Sequence, residues 1–182
     1  MNLTLQQIRE TALSILKKTA INRSKTPITN LAQKGALKAI NTLIGQAIPF
    51  ASRNRFSVTQ LGNGSVTANI PLKGNKNHIG TMYAGALFTV AELPGGILSI
   101  FNFSAEYYPI LKELKMTYLK VAKTDVIVEF SLSSEEIKRI EQEASQKGKS
   151  DFTLHGELKD TQGNIVAKSE AHYQVRKQVA VN

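Results

Sequence analysis

The sequence of 182 residues predicts an α+β fold in which an antiparallel sheet packs against one apolar helix. Short segments with alternating apolar and polar residues recur between residues 55 and 177, and turn-forming Gly, Asn and Asp separate them, as is typical of antiparallel strands. Between the second and third of these segments, a stretch from about Tyr83 is rich in Ala, Leu, Phe and Val on nearly all sides. Such a helix is expected to be buried, and the sheet is the surface available to bury it.

Two further helices are predicted ahead of the sheet. Apolar residues at helical spacing predict the first over residues 4–18 and the second between residues 30 and 49. Residues 1–49 are therefore expected to form an N-terminal helical extension, and residues 50–182 the sheet domain. The extension is strongly basic, because residues 1–53 hold eight of the 23 Lys and Arg but one of the 14 acidic residues, which is +7 of the total +9.

The sheet domain divides into strands, turns and two helices. A hairpin turn is predicted at residues 61–65 and another at 160–164. In the apolar helix, Pro94 is expected to introduce a kink or an end. A second, polar helix is predicted over residues 133–147, with Ser133 and Glu136 placed as a capping box. The predicted strands cover residues 55–60, 66–70, 111–121, 125–133, 152–158 and 165–177.

The composition excludes several kinds of site. The chain has no cysteine, which rules out disulfides, thiolate nucleophiles and cysteine-based metal sites. No spacing among the three histidines and the acids indicates a metal site, and no cofactor is expected. No apolar stretch approaches the roughly 18–20 residues of a membrane span, and the first 20 residues lack the apolar run of a secretory signal. A cytoplasmic protein without an integral membrane segment is therefore expected.

The basic extension has two interpretations. A basic arm favours nucleic acid, anionic lipid or a polyanionic ligand as a partner, but it is also what a solvated helical face looks like. The extension has no interleaved aromatic residues and no nucleic-acid-binding motif. The sequence therefore favours the solvated face, and no nucleic-acid partner is expected.

The segment from Asn77 to Glu92 is the strongest candidate for a functional site. Glu92 is a single carboxylate on an otherwise apolar helix, and an unpaired charge is costly to bury. A raised pKa and a catalytic task would explain it. The alternative is a structural acid, hydrogen-bonded to a polar partner or to backbone freed by Pro94.

Two motifs carry a resemblance to a known family. Asn77-x-x-Gly80 precedes the helix, which continues as Ala84-Gly85-Ala86-Leu87-Phe88-Thr89 and contains Glu92, while Tyr118-Leu119-Lys120-Val121-Ala122-Lys123 ends a predicted strand. Together they resemble the hotdog-fold acyl-CoA thioesterases, in which an antiparallel sheet wraps a central helix. The likeness covers roughly residues 50–177. It is greatest to the phenylacetate-degradation type and to thioesterase relatives with an N-terminal helical extension.

The resemblance implies a role for each site residue. Glu92 would be the general base or nucleophile, Gly85 the helix-start glycine whose N–H polarises the thioester carbonyl, and Asn77 the residue that orients substrate or water. Tyr83 stands where many members have histidine, and Ala84 where they have the first glycine of a His-Gly-Gly triplet. These two residues and His78 would contact the substrate. The simpler alternatives are that Asn77 is a turn residue, Gly85 a packing glycine and Tyr83 a packed aromatic.

The spacing within the helix also bears on assembly. Gly85 and Glu92 are seven residues apart, about 10 Å along a helix, so one helix cannot easily present both to a single carbonyl. A homodimer or a dimer of dimers is therefore expected. The predicted function is hydrolysis of an acyl-CoA or acyl-carrier thioester, and the alternative is a catalytically silent hotdog module that binds acyl-CoA or acyl chains. A hotdog dehydratase ranks lower, because the sequence lacks the Asp-x-x-x-x-His arrangement of that class.

Overall fold

The structure is a computed structural model that describes residues 27–62 and 64–178, together with Glu10 and Ser14. The chain forms two compact units, Met1–Arg53 and Asn54–Asn182. The first unit contains helices α1 (Pro27–Ala47) and α2 (Pro49–Arg53). Helix α1 begins earlier than predicted, because proline is well suited to a first helical turn, where its missing N–H is not needed. The helix predicted over residues 4–18 lies outside the described residues, apart from Glu10 and Ser14, which are helical.

The second unit is built on a six-stranded antiparallel sheet with the order β1-β2-β4-β5-β6-β3. One long helix, α3 (Ala84–Asn102), packs against strands β2 to β6, and a second, α4 (Ser134–Lys147), packs against β5 and β6. This arrangement confirms the predicted α+β class and is the hotdog fold. The strands are β1 (Ser57–Gly62), β2 (Ser65–Ile70), β3 (Tyr107–Tyr118), β4 (Val126–Ser131), β5 (Lys149–Asp160) and β6 (Ile165–Lys177).

Helix α3 is the central element of the core. Most of its side chains are buried against the inner face of the sheet, including Val90, Ala91 and Leu98, which are fully buried. Pro94 does not end the helix, which continues for eight more residues to Asn102. Proline removes only the bond to the carbonyl of Val90, and burial of the residues on both sides outweighs that loss.

Helix α3 corrects the expectation that no apolar stretch of the chain approaches the length of a membrane span. The helix is long and apolar enough to cross a bilayer, judged by length and composition alone. However, 61% of its apolar segment is buried inside the protein. This burial is typical of the core helix of a globular domain, whose apolar side chains pack against other elements.

Two other predictions concern the ends of elements. Ser133 caps α4 as predicted, since its hydroxyl accepts a hydrogen bond from Glu136 N at 3.1 Å and the Glu136 carboxylate accepts one from Ser133 N.

Strand β3 begins at Tyr107, earlier than predicted, and so includes Pro109. A proline is tolerated there because β3, among the described strands, pairs with β6 alone and forms one edge of the sheet.

Candidate functional site

The start of α3 is an open helix N-terminus. Its N-cap residue is Tyr83, which has extended backbone angles, and no side chain caps the first turn within the described part of the chain. The N–H groups of Ala84 and Gly85 belong to this first turn and have no acceptor inside the helix. These groups and the helix dipole make the end of α3 suited to an anion or to a polarised carbonyl oxygen.

A tight loop stabilised by Asn77 leads into this end of the helix. The Asn77 amide oxygen accepts hydrogen bonds from Ile79 N and Thr81 N, both at 3.1 Å, and its amide nitrogen donates to Thr81 Oγ1 at 2.9 Å. Gly80 completes the turn with φ +82°, a conformation that glycine adopts readily. Asn77 therefore fixes the loop, and His78 and Ile79 are exposed at its tip.

Two tyrosines flank the helix start. A methyl group at Gly85 would overlap the ring of Tyr83, with Tyr83 Cδ1 at 3.0 Å, so the Tyr83 ring lies directly against this glycine while remaining 59% exposed. The Tyr118 hydroxyl lies 3.4 Å from the carbonyl oxygen of Ala84, at the limit of a hydrogen bond. Burial raises the pKa of Tyr118, and the nearby Tyr83 raises it further. Tyr118 belongs to the second family-like motif, but only the structure brings it to the helix start.

Glu92 lies two turns further along α3 and is half-buried. Among the described residues, its carboxylate has no hydrogen-bond or ion-pair partner, and burial alone raises its pKa above the ordinary value of 4.5. A structural acid would be expected to have a partner. No such partner for the Glu92 carboxylate lies in the described part of the chain.

The backbone carbonyl of Glu92 is held by a tyrosine on strand β6. Tyr173 on β6, which is 2% exposed, donates a hydrogen bond from its hydroxyl to the carbonyl oxygen of Glu92. The tyrosine reaches this carbonyl because Gly95 has no side chain, and its ring stacks on Phe152 with centroids 5.5 Å apart. Sequence reasoning missed Tyr173 and Gly95, since 81 residues separate Tyr173 from Glu92 and no local pattern connects them.

The candidate residues are divided between two places on one face of α3. Asn77, His78, Tyr83, Ala84 and Gly85 lie together at the start of the helix, and Glu92 does not join them. The less buried positions of α3 continue from Gly85 through Phe88 and Glu92 to Gly96, at helical spacing. These positions form a stripe, here called the open stripe, that the chain itself leaves partly uncovered.

The remaining polar residues that the structure describes were compared with the requirements of a metal site. In the parts of the chain that the structure describes, no group of three His, Asp or Glu side chains could hold a metal ion. His172 lies on β6, where its Nδ1 is 2.9 Å from Thr153 Oγ1 and its Nε2 is 3.1 Å from Glu170 Oε1. His155 is exposed on β5. Both histidines are therefore strand residues away from α3.

Comparison with known proteins identifies relatives. The family model described as Domain of unknown function (DUF4442) matches residues 37–175. No curated protein shows significant similarity to the chain. Among solved structures, a Pseudomonas aeruginosa protein of unknown function, described as a probable thioesterase, is 44% identical to this chain. The match covers 76% of this chain and 93% of that chain, with a TM-score of 0.73. A Haemophilus influenzae thioesterase is 11% identical, with coverage of 80% and 94% and a TM-score of 0.65, and it shares the fold.

Proposed function

The chain belongs to the DUF4442 family, and from that membership and the geometry of α3 we propose that it hydrolyses an acyl-CoA or acyl-carrier thioester. The observation that carries the proposal is Glu92, a half-buried carboxylate with a raised pKa and no partner among the described residues. The description of the Pseudomonas aeruginosa relative as a probable thioesterase supports the same reaction class.

In the proposed mechanism, Glu92 either takes a proton from a water molecule that attacks the thioester carbonyl carbon, or attacks that carbon itself to form an anhydride that water then hydrolyses. In both routes the C–S bond breaks, and the departing thiolate takes up a proton to leave as free thiol. A carboxylate with a raised pKa is a stronger base than an ordinary glutamate, and general-base catalysis contributes about a hundredfold to ten-thousandfold. The N–H of Gly85 and the dipole of α3 stabilise the oxyanion that develops on the carbonyl oxygen, a contribution of about 3 kcal/mol for one donor. Asn77 holds the loop that shapes this end of the site.

The substrate is proposed to bind along the exposed side chains at the helix start. Tyr83 and Ala84 line the approach to the Gly85 amide, and His78 lies at the tip of the adjoining loop. Tyr83 stands where the resemblance to hotdog thioesterases places a histidine, so it is proposed to contact the acyl group or the thioester through its ring and hydroxyl.

The site is proposed to be completed by a second copy of the chain. Gly85 and Glu92 are about 10 Å apart along α3, which is too far for both to act on one carbonyl. A homodimer that covers the open stripe would bring Glu92 of one subunit to the Gly85 end of the other. The partial exposure of Phe88, an apolar residue between them that is 42% exposed, supports this assembly.

The experiment is the release of free thiol from a panel of acyl-CoA substrates, measured for wild type and for Glu92→Gln. Wild type is expected to hydrolyse at least one acyl-CoA, and Glu92→Gln to lose about a hundredfold or more in kcat while still binding substrate. Glu129→Gln, which removes an exposed acid on β4, is the matched control and is expected to behave as wild type. Unchanged activity in Glu92→Gln would refute the role of the carboxylate.

A second candidate function is a silent module that binds acyl-CoA or acyl chains. The observation in its favour is the Tyr83 ring, which lies against Gly85 and narrows access to the helix start. The same panel separates the two functions. Wild type that binds acyl-CoA in calorimetry, but releases no thiol from any chain length, would establish the binding module.

A further inference from the structure

A group of basic side chains lies on two loops beside the start of α3. Lys73 and Lys76 lie on the loop after β2, and Lys120 and Lys123 lie on the loop after β3; all four are exposed. The two loops are joined by Met82 N, which donates to Ala122 O at 2.8 Å, and by Leu72 N, which donates to Asp125 Oδ1 at 2.8 Å. The four lysines therefore lie beside the helix start, on loops fixed to each other.

Arg55 extends this group. Its Nε would lie 3.9 Å from a methyl group at Gly74, which places the guanidinium against the loop between Lys73 and Lys76. Arg55 has φ +55°, an uncommon value for a residue with a side chain. Asn75 stabilises this turn by donating from its amide nitrogen to Asn54 O and Pro71 O, both at 2.8 Å. The five residues Arg55, Lys73, Lys76, Lys120 and Lys123 are here called the basic rim.

Within the described parts of the chain, the charges of the rim are not compensated by ion pairs. Lysines elsewhere in this unit form ion pairs, as Lys112, Lys159 and Lys177 do, but no residue of the rim is in an ion pair within the described parts of the chain. The two acids near the rim are hydrogen-bonded to other groups: Asp125 accepts a bond from a backbone N–H, and Asp160 accepts bonds from Gln162 and Asn164. Asp160 is also close enough to Lys120 for their charges to interact.

The distribution of charge makes the rim distinctive. Residues 54–182 contain 15 basic and 13 acidic residues, a net charge of +2. Five of those basic residues belong to the rim, and Asp125 and Asp160 are the acids beside it, so the rim region alone carries +3. The rest of the unit is therefore slightly negative, and positive potential is concentrated where substrate would approach α3.

We propose that the basic rim binds the phosphate groups of the nucleotide part of coenzyme A, so that the substrate is a CoA thioester. This inference rests on the proposed thioesterase function. CoA carries a diphosphate and a phosphomonoester, the latter with about −1.5 to −2 charges at neutral pH, and lysine and arginine are the side chains that bind such groups. A thioester on a carrier protein presents the same neutral pantetheine arm through a single phosphate and has no nucleotide to engage five cationic residues.

The test compares hexanoyl-CoA with hexanoyl-pantetheine, and the phenylacetyl pair if hexanoyl groups are not hydrolysed. Wild type is expected to have a lower KM for the CoA thioester, and this preference should weaken as salt is added. In Lys73→Ala/Lys76→Ala and in Lys120→Ala/Lys123→Ala, the KM for the CoA thioester is expected to rise about tenfold for each pair of charges removed. The control is Lys138→Ala/Lys149→Ala, two exposed lysines on α4 and at the far end of β5 from Asp160, and its KM should match that of wild type.

The outcomes separate the rim from the catalytic proposal. The proposed role of the rim would be overturned if wild type had equal KM values for the CoA and pantetheine thioesters, or if KM rose as much in the control variant as in the rim variants. The proposed thioesterase function would still stand in either case if hydrolysis depended on Glu92. If no thioester is hydrolysed, calorimetry with CoA and with adenosine 3′,5′-bisphosphate decides: binding that is lost in the rim variants supports the rim, and no binding to wild type overturns it. Hydrolysis of a carrier-protein thioester alone, without CoA binding, would also overturn it.

Discussion

Replacing Gly95 by alanine perturbs the contact that ties α3 to the sheet at Glu92. A methyl group at this position would lie closer than 3.0 Å to two ring carbons of Tyr173 and to its hydroxyl oxygen. Tyr173 is 2% exposed and stacks on Phe152, so the ring has no free space into which it can rotate. Either the ring or the helix must move, and both movements break the hydrogen bond from Tyr173 to the carbonyl of Glu92.

The expected loss of stability follows from three contributions. Overpacking a filled core costs about 2 kcal/mol, and leaving the buried hydroxyl without its acceptor costs about 1–2 kcal/mol more. Alanine is a better helix former than glycine by about 1 kcal/mol, which offsets part of this. Gly95→Ala is therefore expected to lower the free energy of unfolding by about 2–3 kcal/mol.

Urea unfolding monitored by circular dichroism measures this loss, with all proteins at one concentration because dissociation of a dimer would shift the midpoint. Gly35→Ala is the matched control: it makes the same change inside a helix, at an exposed position of α1 that is not part of the open stripe and where a methyl group would meet nothing within 4 Å. It is expected to leave stability unchanged or to raise it by up to about 1 kcal/mol. Equal stability of the two variants would refute the role assigned to Gly95 and Tyr173.

Three further predictions concern other parts of the sheet domain. Ser133→Ala removes the cap on Glu136 N and is expected to lower the free energy of unfolding by about 1 kcal/mol in urea titration, with hydrolysis unchanged. Asn77→Ala removes three hydrogen bonds from the loop to Ile79 and Thr81, so we expect about 2 kcal/mol lower stability and a raised KM; a change in neither would contradict the role of this loop. Since burial raises the pKa of Glu92 above 4.5, its charged form destabilises the fold at neutral pH. Glu92→Gln should therefore be more stable than wild type at pH 7, by a margin that shrinks as the pH falls toward 4.5 and the folded carboxyl takes up its proton, as unfolding at a series of pH values would show.

The sequence was informative wherever local chemistry decides structure. Strand alternation predicted the antiparallel sheet, and Ser133 with Glu136 predicted the start of α4, because a capping box needs only residues three apart. The apolar composition of α3 likewise predicted a buried helix, and Glu92 was recognised as an exception within it. These features depend on residues close to one another in the chain, so the sequence alone is enough to predict them.

The errors arose where tertiary packing overrides local preference. Pro94 was expected to kink α3 or to end its first part; it does not end the helix, which continues to Asn102 because the residues on both sides of the proline are buried. Pro109 marked a strand boundary in the sequence, yet it lies within β3 because an edge strand can accommodate a residue without an N–H. Neither outcome can be derived without knowing which elements pack together.

The candidate site was predictable only in part for the same reason. Asn77 to Gly85 are contiguous, so their grouping at the helix start follows from the chain. Tyr173 reaches Glu92 across the fold, and the basic rim combines the loop after β2 with the loop after β3. Such groupings depend on sheet order, which the strand pattern alone does not determine.

The most direct test of the composite site is the activity of mixed dimers. Glu92→Gln removes the base, and Gly85→Pro removes the amide N–H in the first helical turn; each variant alone is expected to be inactive. Because any side chain at Gly85 must also displace the exposed Tyr83 ring, Gly85→Ala, which keeps the N–H, is the control and is expected to retain more activity than Gly85→Pro. After Glu92→Gln and Gly85→Pro are unfolded together, refolded and compared with wild type treated identically, the account predicts recovery of about a quarter of wild-type thioester hydrolysis, since random pairing makes half of the dimers mixed and gives each one intact site of two. Activity that stays at the level of the separate variants would show that Glu92 does not serve the Gly85 end of a partner subunit.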